Sequence, residues 1–287
     1  MTTNYDFLAN PKLPSREAIV AQAEEARNVD FPLRDAESGS IIAWVKHGSY
    51  VTVYEAQTQD FVARELAQDR TAGSSVVQVP RVFDAFEWQD GPGSIVGCIV
   101  MEYVEGNDCQ CTRDANDVAP AVQRLISIRG PDITPGHLGG GDIVHSFFWI
   151  DGNPPIHYHS VQDFQDHINN ILKHKKDPRR IDIVSEAQDG LFLCPCDISP
   201  KNFRRRSSDG QLFATGFRMA CFLPRSFFVA ALHILATDFC IKVARKLTIK
   251  QPKDAAAIVD ASGYLIIYAQ PVGLPKHLRA QLKKSPR

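Results

Sequence analysis

The chain has 287 residues, of which 44% are hydrophobic and 23% charged, so it can bury a sizeable core and is not a disordered chain. Its formal net charge of −1 argues against a polyanion-binding surface, and we expect no nucleic-acid partner. Seven cysteines, an odd number, and no basic and apolar leader at residues 1–6 predict reduced thiols and a cytoplasmic location.

The first hundred or so residues are predicted to contain helices and strands in alternation. Ser15 is a suitable N-cap for a helix that runs to Ala26. Residues 41–46 indicate a strand, and 53–67 a helix with apolar residues on one face and acidic and amide residues on the other. Two further strands are predicted at 78–86 and 94–101, with a turn between them.

From about residue 104 onward the pattern becomes mostly helical. Helices are predicted at 118–128 and 161–172, separated by a loop rich in Gly, Pro and His. The longest apolar run, 227–241, contains His233 and Asp238 and is too short to span a bilayer. We therefore predict a buried helix there and no membrane partner.

An Asp and an Asn stand five residues apart just after a short apolar run, as Asp197 and Asn202. This is the spacing of a kinase catalytic loop. Phosphoryl transfer needs a carboxylate that orients the attacking hydroxyl and accepts its proton, and an amide oxygen that holds a metal ion on the phosphates. The pattern predicts Asp197 as the catalytic residue and Asn202 as a metal ligand.

The order of motifs resembles the aminoglycoside phosphotransferase and choline-kinase-like group of the protein-kinase-like superfamily, in particular its fungal kinase-like members. The resemblance covers about 41–224, and the ordered set is more specific than any one motif. Besides the Asp197 loop, the motifs are Val45-Lys46-His47-Gly48, Tyr54-Glu55-Ala56, Val79-Pro80-Arg81-Val82, Val100-Met101-Glu102-Tyr103-Val104-Glu105-Gly106, Ser160-Val161-Gln162-Asp163-Phe164 and Ala220-Cys221-Phe222-Leu223-Pro224-Arg225.

This resemblance implies an α+β, two-lobed protein-kinase-like fold. It implies a small β-rich N-lobe at 1–103 that binds the nucleotide and a larger helical C-lobe at 104–287 with the catalytic loop and the substrate pocket. ATP would be bound by Lys46, oriented by an ion pair with Glu55, and by the linker between lobes. The alternative for Lys46 and Glu55 is an exposed strand-end lysine and a solvated helix glutamate. The implied linker residues are Met101, Glu102, Tyr103 and Val104.

The chain departs from the family pattern at three places. Only Ser38-Gly39-Ser40 stands in the phosphate-covering position, where a plain turn is the simpler interpretation. Pro195 stands where the family has a supporting His, and Gly216 where it has the Mg²⁺-binding Asp. Glycine offers a cation no oxygen from a side chain, so we expect turnover to fall at least ~100-fold. Asp209, in a turn, is not expected to replace that Asp.

Two functions follow. The first is an ATP- and Mg²⁺-dependent phosphotransferase, impaired by Gly216, that acts on a small-molecule hydroxyl or amine. The second is a catalytically inactive pseudokinase that binds a nucleotide or a protein partner.

Two other clusters support weaker hypotheses. Cysteines at 109, 111, 194 and 196 supply four thiols, but their one-residue spacing is not typical of zinc sites. The basic run at 201–206 could meet anionic groups or protect the edge of a sheet.

Overall fold

A computed structural model describes residues 5–27, 29–68, 76–110, 113–148, 152–268 and 271–282. The chain divides into two compact units, Met1–Asp108 with Phe203–Arg218, and Cys109–Asn202 with Met219–Arg287. The first is rich in strands and the second mostly helical, which confirms the predicted α+β class. The boundary near residue 103 between a nucleotide-binding and a catalytic lobe stays a prediction.

The described residues of the first unit form a four-stranded antiparallel sheet, two α-helices and a three-stranded sheet. The elements are α1 (Arg16–Ala26), β1 (Phe31–Arg34), β2 (Ile41–Gly48), α2 (Val53–Gln68), β3 (Val82–Gln89), β4 (Ile95–Met101), β5 (Gly106–Asp108), β7 (Phe203–Arg206) and β8 (Leu212–Ala214). The strand order is β1-β2-β4-β3 in the first sheet and β5-β7-β8 in the second.

Helix α1 begins where its sequence predicts, because the Ser15 hydroxyl accepts a hydrogen bond from the backbone N–H of Ala18 at 3.4 Å. Helix α2 also lies where predicted, but its polar side is not solvated. Gln57, Gln59 and Asp60 are buried along with the apolar residues. The helix is therefore enclosed on both sides, and its polar groups need partners within the protein.

The basic run at 204–206 forms β7, the middle strand of the second sheet, between β5 and β8. The alternative of a charged edge strand is therefore wrong. Gly106 allows the close pairing, because a Cβ there would lie 1.9 Å from the Arg205 carbonyl oxygen.

The second unit has six helices and a two-stranded antiparallel sheet among its described residues. The predicted helix at 227–241 is two helices, because the backbone leaves the helical conformation at Leu235 and the Thr237 hydroxyl caps a new one. No described helix is long and apolar enough to cross a bilayer. The elements are α3 (Ala115–Leu125), α4 (Val161–His174), α5 (Ile183–Ala187), β6 (Phe192–Pro195), β9 (Ala220–Leu223), α6 (Arg225–Ile234), α7 (Asp238–Ala244) and α8 (Ala255–Tyr268).

Candidate functional site

Lys46 and Glu55 are in direct contact within the first unit. Lys46 lies on β2 opposite Ile99 of β4, and its ammonium donates a hydrogen bond to Oε1 of Glu55 in the first turn of α2. The Glu55 side chain is 1% exposed and that of Lys46 22% exposed. The alternative of a solvated helix glutamate is therefore wrong, and a partly exposed lysine is held by a buried carboxylate.

One carboxylate oxygen of this pair is unused. Glu55 Oε2 is buried and has no hydrogen-bond partner among the described residues. The Glu55 backbone N–H donates to the Thr52 hydroxyl at 3.1 Å, which fixes the start of α2. A buried carboxylate with a single cation depends strongly on that cation for compensation of its charge.

Gln59 was not predicted as a site residue, although it lies one helical turn after Glu55. Its amide nitrogen donates to the Pro80 carbonyl oxygen at 2.9 Å and lies 3.4 Å from the Met101 sulfur. Its Oε1 is buried and has no partner in the described part of the chain. Gln59 therefore ties α2 to the end of β4, where the predicted linker begins. The i, i+4 spacing from Glu55 was the sequence signal for it.

Asp60 is a second buried acid on α2, and it is fully compensated. Its Oδ2 accepts a hydrogen bond from Arg64 Nε at 2.7 Å, and its Oδ1 accepts one from Arg81 Nε at 3.2 Å. Burial raises the pKa of Tyr5 to about 12, with a smaller contribution from the negative charge of Asp60. This network anchors the helix that carries Glu55.

The linker residues are held by backbone and ring contacts. Met101 and Val104 are buried, and the Glu102 N–H donates to the Arg81 carbonyl oxygen at 2.8 Å. The Tyr103 ring stacks on Trp44 of β2, with ring centroids 6.0 Å apart and an interplanar angle of 26°. One face of Tyr103 is therefore already covered by the protein.

The turn between β1 and β2 is closed by its own carboxylate, as the plain-turn interpretation requires. Asp35 Oδ1 accepts hydrogen bonds from the backbone N–H of Ser38 at 2.7 Å and of Glu37 at 3.2 Å. These hydrogen bonds lower the pKa of Asp35, and the bond from the Ser38 backbone has the largest effect. Backbone N–H groups bind phosphate only when they are available. In this turn the two are occupied by an internal anion.

The segment at the position of the family's metal-binding Asp lies in the first unit. Gly216 is outside the left-handed backbone region, while Phe217 is 2% exposed. The guanidinium of Arg218 lies 4.8 Å from the centre of the Tyr50 ring. Asp209 is in a turn, as predicted, and accepts hydrogen bonds from the Arg206 guanidinium.

Asp197 and Asn202 lie together in the second unit. The loop leaves β6 with the Cys196 N–H bonded to the Met219 carbonyl oxygen at 2.9 Å. It is then closed by the Asn202 side-chain amide, which donates to the Asp197 carbonyl oxygen at 2.8 Å. The Asp197 side chain is 35% exposed, and Lys201 Nζ lies 3.8 Å from its Oδ2. The carboxylate of Asp197 is therefore open to a reactant.

The thiols near this loop remain protonated at neutral pH. Burial raises the pKa of Cys196 to about 12 and, with a smaller contribution from the charge of Asp197, that of Cys240 to about 11. They are poor nucleophiles and poor metal ligands in that state. No group of three or more His, Cys, Asp or Glu suited to a metal ion occurs in the described ranges; Cys111 of the zinc hypothesis lies outside them.

The groups needed by a nucleotide and by Mg²⁺ are present to different degrees. Lys46 supplies a cation on a partly exposed side chain, which suits phosphate oxygens. Mg²⁺ requires several oxygen ligands, usually including one or two carboxylates. Gly216 supplies none from a side chain, and Asn202 would supply only a neutral amide oxygen. The residues therefore fit a phosphate-bearing ligand better than a protein-held Mg²⁺.

Several solved structures are similar to this chain. An aminopropanol kinase associated with a microcompartment is 13% identical, with 91% of each chain covered and a TM-score of 0.47. An aminoglycoside phosphotransferase from Alicyclobacillus acidocaldarius is 15% identical, with 97% of this chain and 90% of that chain covered and a TM-score of 0.39.

A choline kinase from Streptococcus pneumoniae is 14% identical, with 88% of this chain and 90% of that chain covered and a TM-score of 0.34. The aminoglycoside phosphotransferase and the choline kinase carry the names of the two groups that the sequence motifs resemble. At such TM-scores we infer no activity from them. No protein-family model and no curated protein matches the sequence.

Proposed function

We propose that the chain is a kinase-like phosphotransferase that binds ATP and transfers its terminal phosphoryl group slowly to a small-molecule hydroxyl or amine. The observation that supports this most is the Lys46–Glu55 pair. A lysine held by a buried carboxylate, with a side chain that is still 22% exposed, is preorganised to meet phosphate oxygens.

In this proposal residues 1–103 bind the nucleotide, with the adenine at Met101, Glu102, Tyr103 and Val104. Residues 104–287 supply the catalytic loop and the substrate pocket. Asp197 orients the acceptor and takes its proton, for which its carboxylate is accessible. A cytoplasmic location is part of the same proposal, because seven cysteines in an odd count are typical of a reducing compartment.

We attribute slow transfer to Gly216. A divalent cation, when bound, neutralises charge on the transferring phosphates. With glycine in place of the family's carboxylate, the chain holds such an ion weakly, and no further step is assigned to it. Gly216 does not use the left-handed backbone region, so an aspartate can be placed there without backbone strain.

The alternative is a pseudokinase that binds a nucleotide or a protein partner without transfer. Its specific support is the turn at 35–40, where Asp35 occupies backbone N–H groups that could otherwise bind phosphate. This favours weak retention of the phosphates, in the same direction as Gly216.

The release of ADP separates the two functions, and thermal stability in the presence of ATP tests whether the nucleotide binds at all, because a ligand that binds the folded state raises the melting temperature. We expect ATP to stabilise the wild type with little dependence on Mg²⁺. In Gly216→Asp we expect a Mg²⁺-dependent increase and at least ~100-fold faster ADP release with a panel of amino alcohols and amino sugars. Thr215→Asp, which adds the same charge one residue earlier, is the matched control.

The outcomes differ clearly. Faster ADP release in Gly216→Asp but not in Thr215→Asp supports an intact transfer site that lacks one ligand. Stabilisation by ATP without faster ADP release in either variant supports the pseudokinase. Absence of any ATP-dependent shift in all three proteins refutes the phosphotransferase and the nucleotide-binding pseudokinase, and leaves only the pseudokinase that binds a protein partner.

A further inference from the structure

A cavity of about 720 Å³ lies in the second unit. Its lining includes the first three residues of β6, whereas Asp197 lies two residues beyond the end of that strand and is not in the lining. Its volume is in the range of small-molecule sites. The cavity thus belongs to neither the nucleotide nor the transfer residues proposed above.

One wall of the cavity is the segment 248–254, which is anchored at both ends. The Thr248 N–H donates to the side-chain oxygen of Gln123 on α3 at 2.8 Å. At the other end Asp254, 6% exposed, accepts a hydrogen bond from the Asp182 N–H at 2.8 Å. The wall is therefore a fixed part of the unit.

Most carboxylates at the cavity are used to hold backbone groups. Glu186 accepts hydrogen bonds from both the backbone N–H and the hydroxyl of Ser226, at the start of α6. Asp182 caps α5 by accepting from the Ser185 N–H at 3.2 Å, and Asp254 is held as above. Asp189 is the remaining acid, and it is exposed. Three of these acids are therefore directed at protein groups by their hydrogen bonds, while all four keep their negative charge.

The cations that line the cavity form no ion pairs with these carboxylates. The Arg225 guanidinium lies over the Phe192 ring, 3.4 Å from its centre, and its hydrogen bond is a long one of 3.4 Å to the Ile126 carbonyl oxygen. Lys250 and Lys253 line the same cavity. Within the described residues, none of the three cations has a carboxylate within 4 Å.

The guanidinium of Arg225 is partly removed from water without a paired carboxylate among the described residues. Burial lowers its pKa, and the charges of Glu186 and Asp189, which act on it without forming an ion pair, do not offset this effect. Stacking on Phe192 fixes one face of the guanidinium and leaves its edge for a planar, two-oxygen anion. The rest of the lining is largely apolar and includes Leu223 and Phe228.

We propose that this cavity is a second ligand site, which binds a small organic carboxylate with its apolar body against Leu223 and Phe228 and its anionic group on Arg225. The proposal is independent of phosphoryl transfer. It requires an apolar molecule with a negative charge, and it excludes an amine of the same shape.

The test uses two probes of the same aromatic body and opposite charge, 1-naphthoate and 1-naphthylmethylamine. Binding to the full chain is measured by titration calorimetry with and without ATP. We expect naphthoate to bind, the amine to bind at least about tenfold more weakly, and ATP to have no effect. In Arg225→Gln, naphthoate affinity should fall about tenfold or more, because a hydrogen bond to a charged group is lost.

Two further variants make the result specific. Arg245→Gln removes an exposed arginine at the end of α7 that does not line the cavity, and should bind naphthoate like the wild type. Ile249→Trp fills the cavity from its anchored wall and should abolish binding. If Arg225→Gln fails to fold, the tryptophan variant decides.

Any of four results overturns the proposal. These are no naphthoate binding at millimolar concentration, equal binding of the amine, unchanged affinity in Arg225→Gln or in Ile249→Trp, and competition with ATP.

Discussion

Removal of the cation from the Lys46–Glu55 pair should strongly destabilise the first unit. In Lys46→Met the apolar stem is kept, while Glu55, 1% exposed, is left without a cation and with Oε2 still unpaired. Loss of one partner of a buried ion pair costs about 3–5 kcal/mol. We expect a loss of about 3 kcal/mol in the free energy of unfolding, because Lys46 is 22% exposed and its pairing is partly screened.

Removal of the anion should cost much less. In Glu55→Gln the shape is kept, and the Lys46 ammonium can be hydrated through its exposed side, so we expect a loss of about 1 kcal/mol. The double variant should resemble Glu55→Gln, because no buried charge remains. The two substitutions are therefore expected to couple by about 2–3 kcal/mol.

Urea unfolding followed by tryptophan fluorescence is the assay, since Trp44 on β2 and Trp88 on β3 report on the same unit. Lys12→Met, at an exposed lysine of this unit, is the control and should change the free energy of unfolding by less than about 0.5 kcal/mol. Equal losses in Lys46→Met and Glu55→Gln, or additive losses in the double variant, would refute the reasoning.

Three further predictions concern stability. Burial lowers the pKa of both His145 and His167 to about 4, so the unfolded chain binds more protons between pH 6.5 and 4 and stability should fall as the pH is lowered through that window. The loss is about 2 kcal/mol for each histidine at pH 5, and equal urea midpoints at pH 7 and pH 5 would contradict it. Gly97→Ala should lower the free energy of unfolding by about 2 kcal/mol or more, because the new Cβ would lie 2.0 Å from the Val51 carbonyl oxygen. An unchanged urea midpoint would show that the backbone at Val51 moves away at no cost. Ser160→Ala removes the cap of α4 and should lower the free energy of unfolding by about 1 kcal/mol. Ser160→Thr keeps a hydroxyl at the cap and should retain most of the stability of the wild type.

Elements specified by local sequence could be predicted. Helix α1 follows from one capping serine and a helical period, and β2 and β4 from short apolar runs. The break at Leu235 was missed because the apolar run continues through it, although Thr237 is a recognisable cap. Hydrophobic periodicity and helix caps depend only on residues close together in the sequence, so they can be recognised from the sequence alone.

Burial of polar groups could not be predicted, because it depends on partners far along the chain. Asp60 and Gln59 of α2 are enclosed by contacts with Arg81 and Pro80. The basic strand β7 is central because β5 pairs with it from almost a hundred residues earlier. The cavity at Arg225 is likewise assembled from several separate segments, and no motif marks it.

The candidate site likewise has some features that the sequence predicted and others that depend on the folded backbone. The Lys46–Glu55 contact was expected from the order of motifs, and the sequence has Gly216 where the family resemblance implies a carboxylate. The bonds by which Asp35 closes its turn depend on backbone geometry that composition does not give. They bear on the same question as Gly216, which is how firmly the outer phosphates could be held.

In the proposed function these features act on different parts of the nucleotide. Lys46 would supply long-range attraction for phosphate charge, whereas Gly216 and the occupied turn at Asp35 would remove contacts that fix phosphate geometry. Attraction contributes to binding in the ground state, but transfer also needs oriented contacts that strengthen in the transition state. On this reasoning ATP binding persists where transfer is slow, and restoring one ligand at Gly216 increases turnover more than affinity.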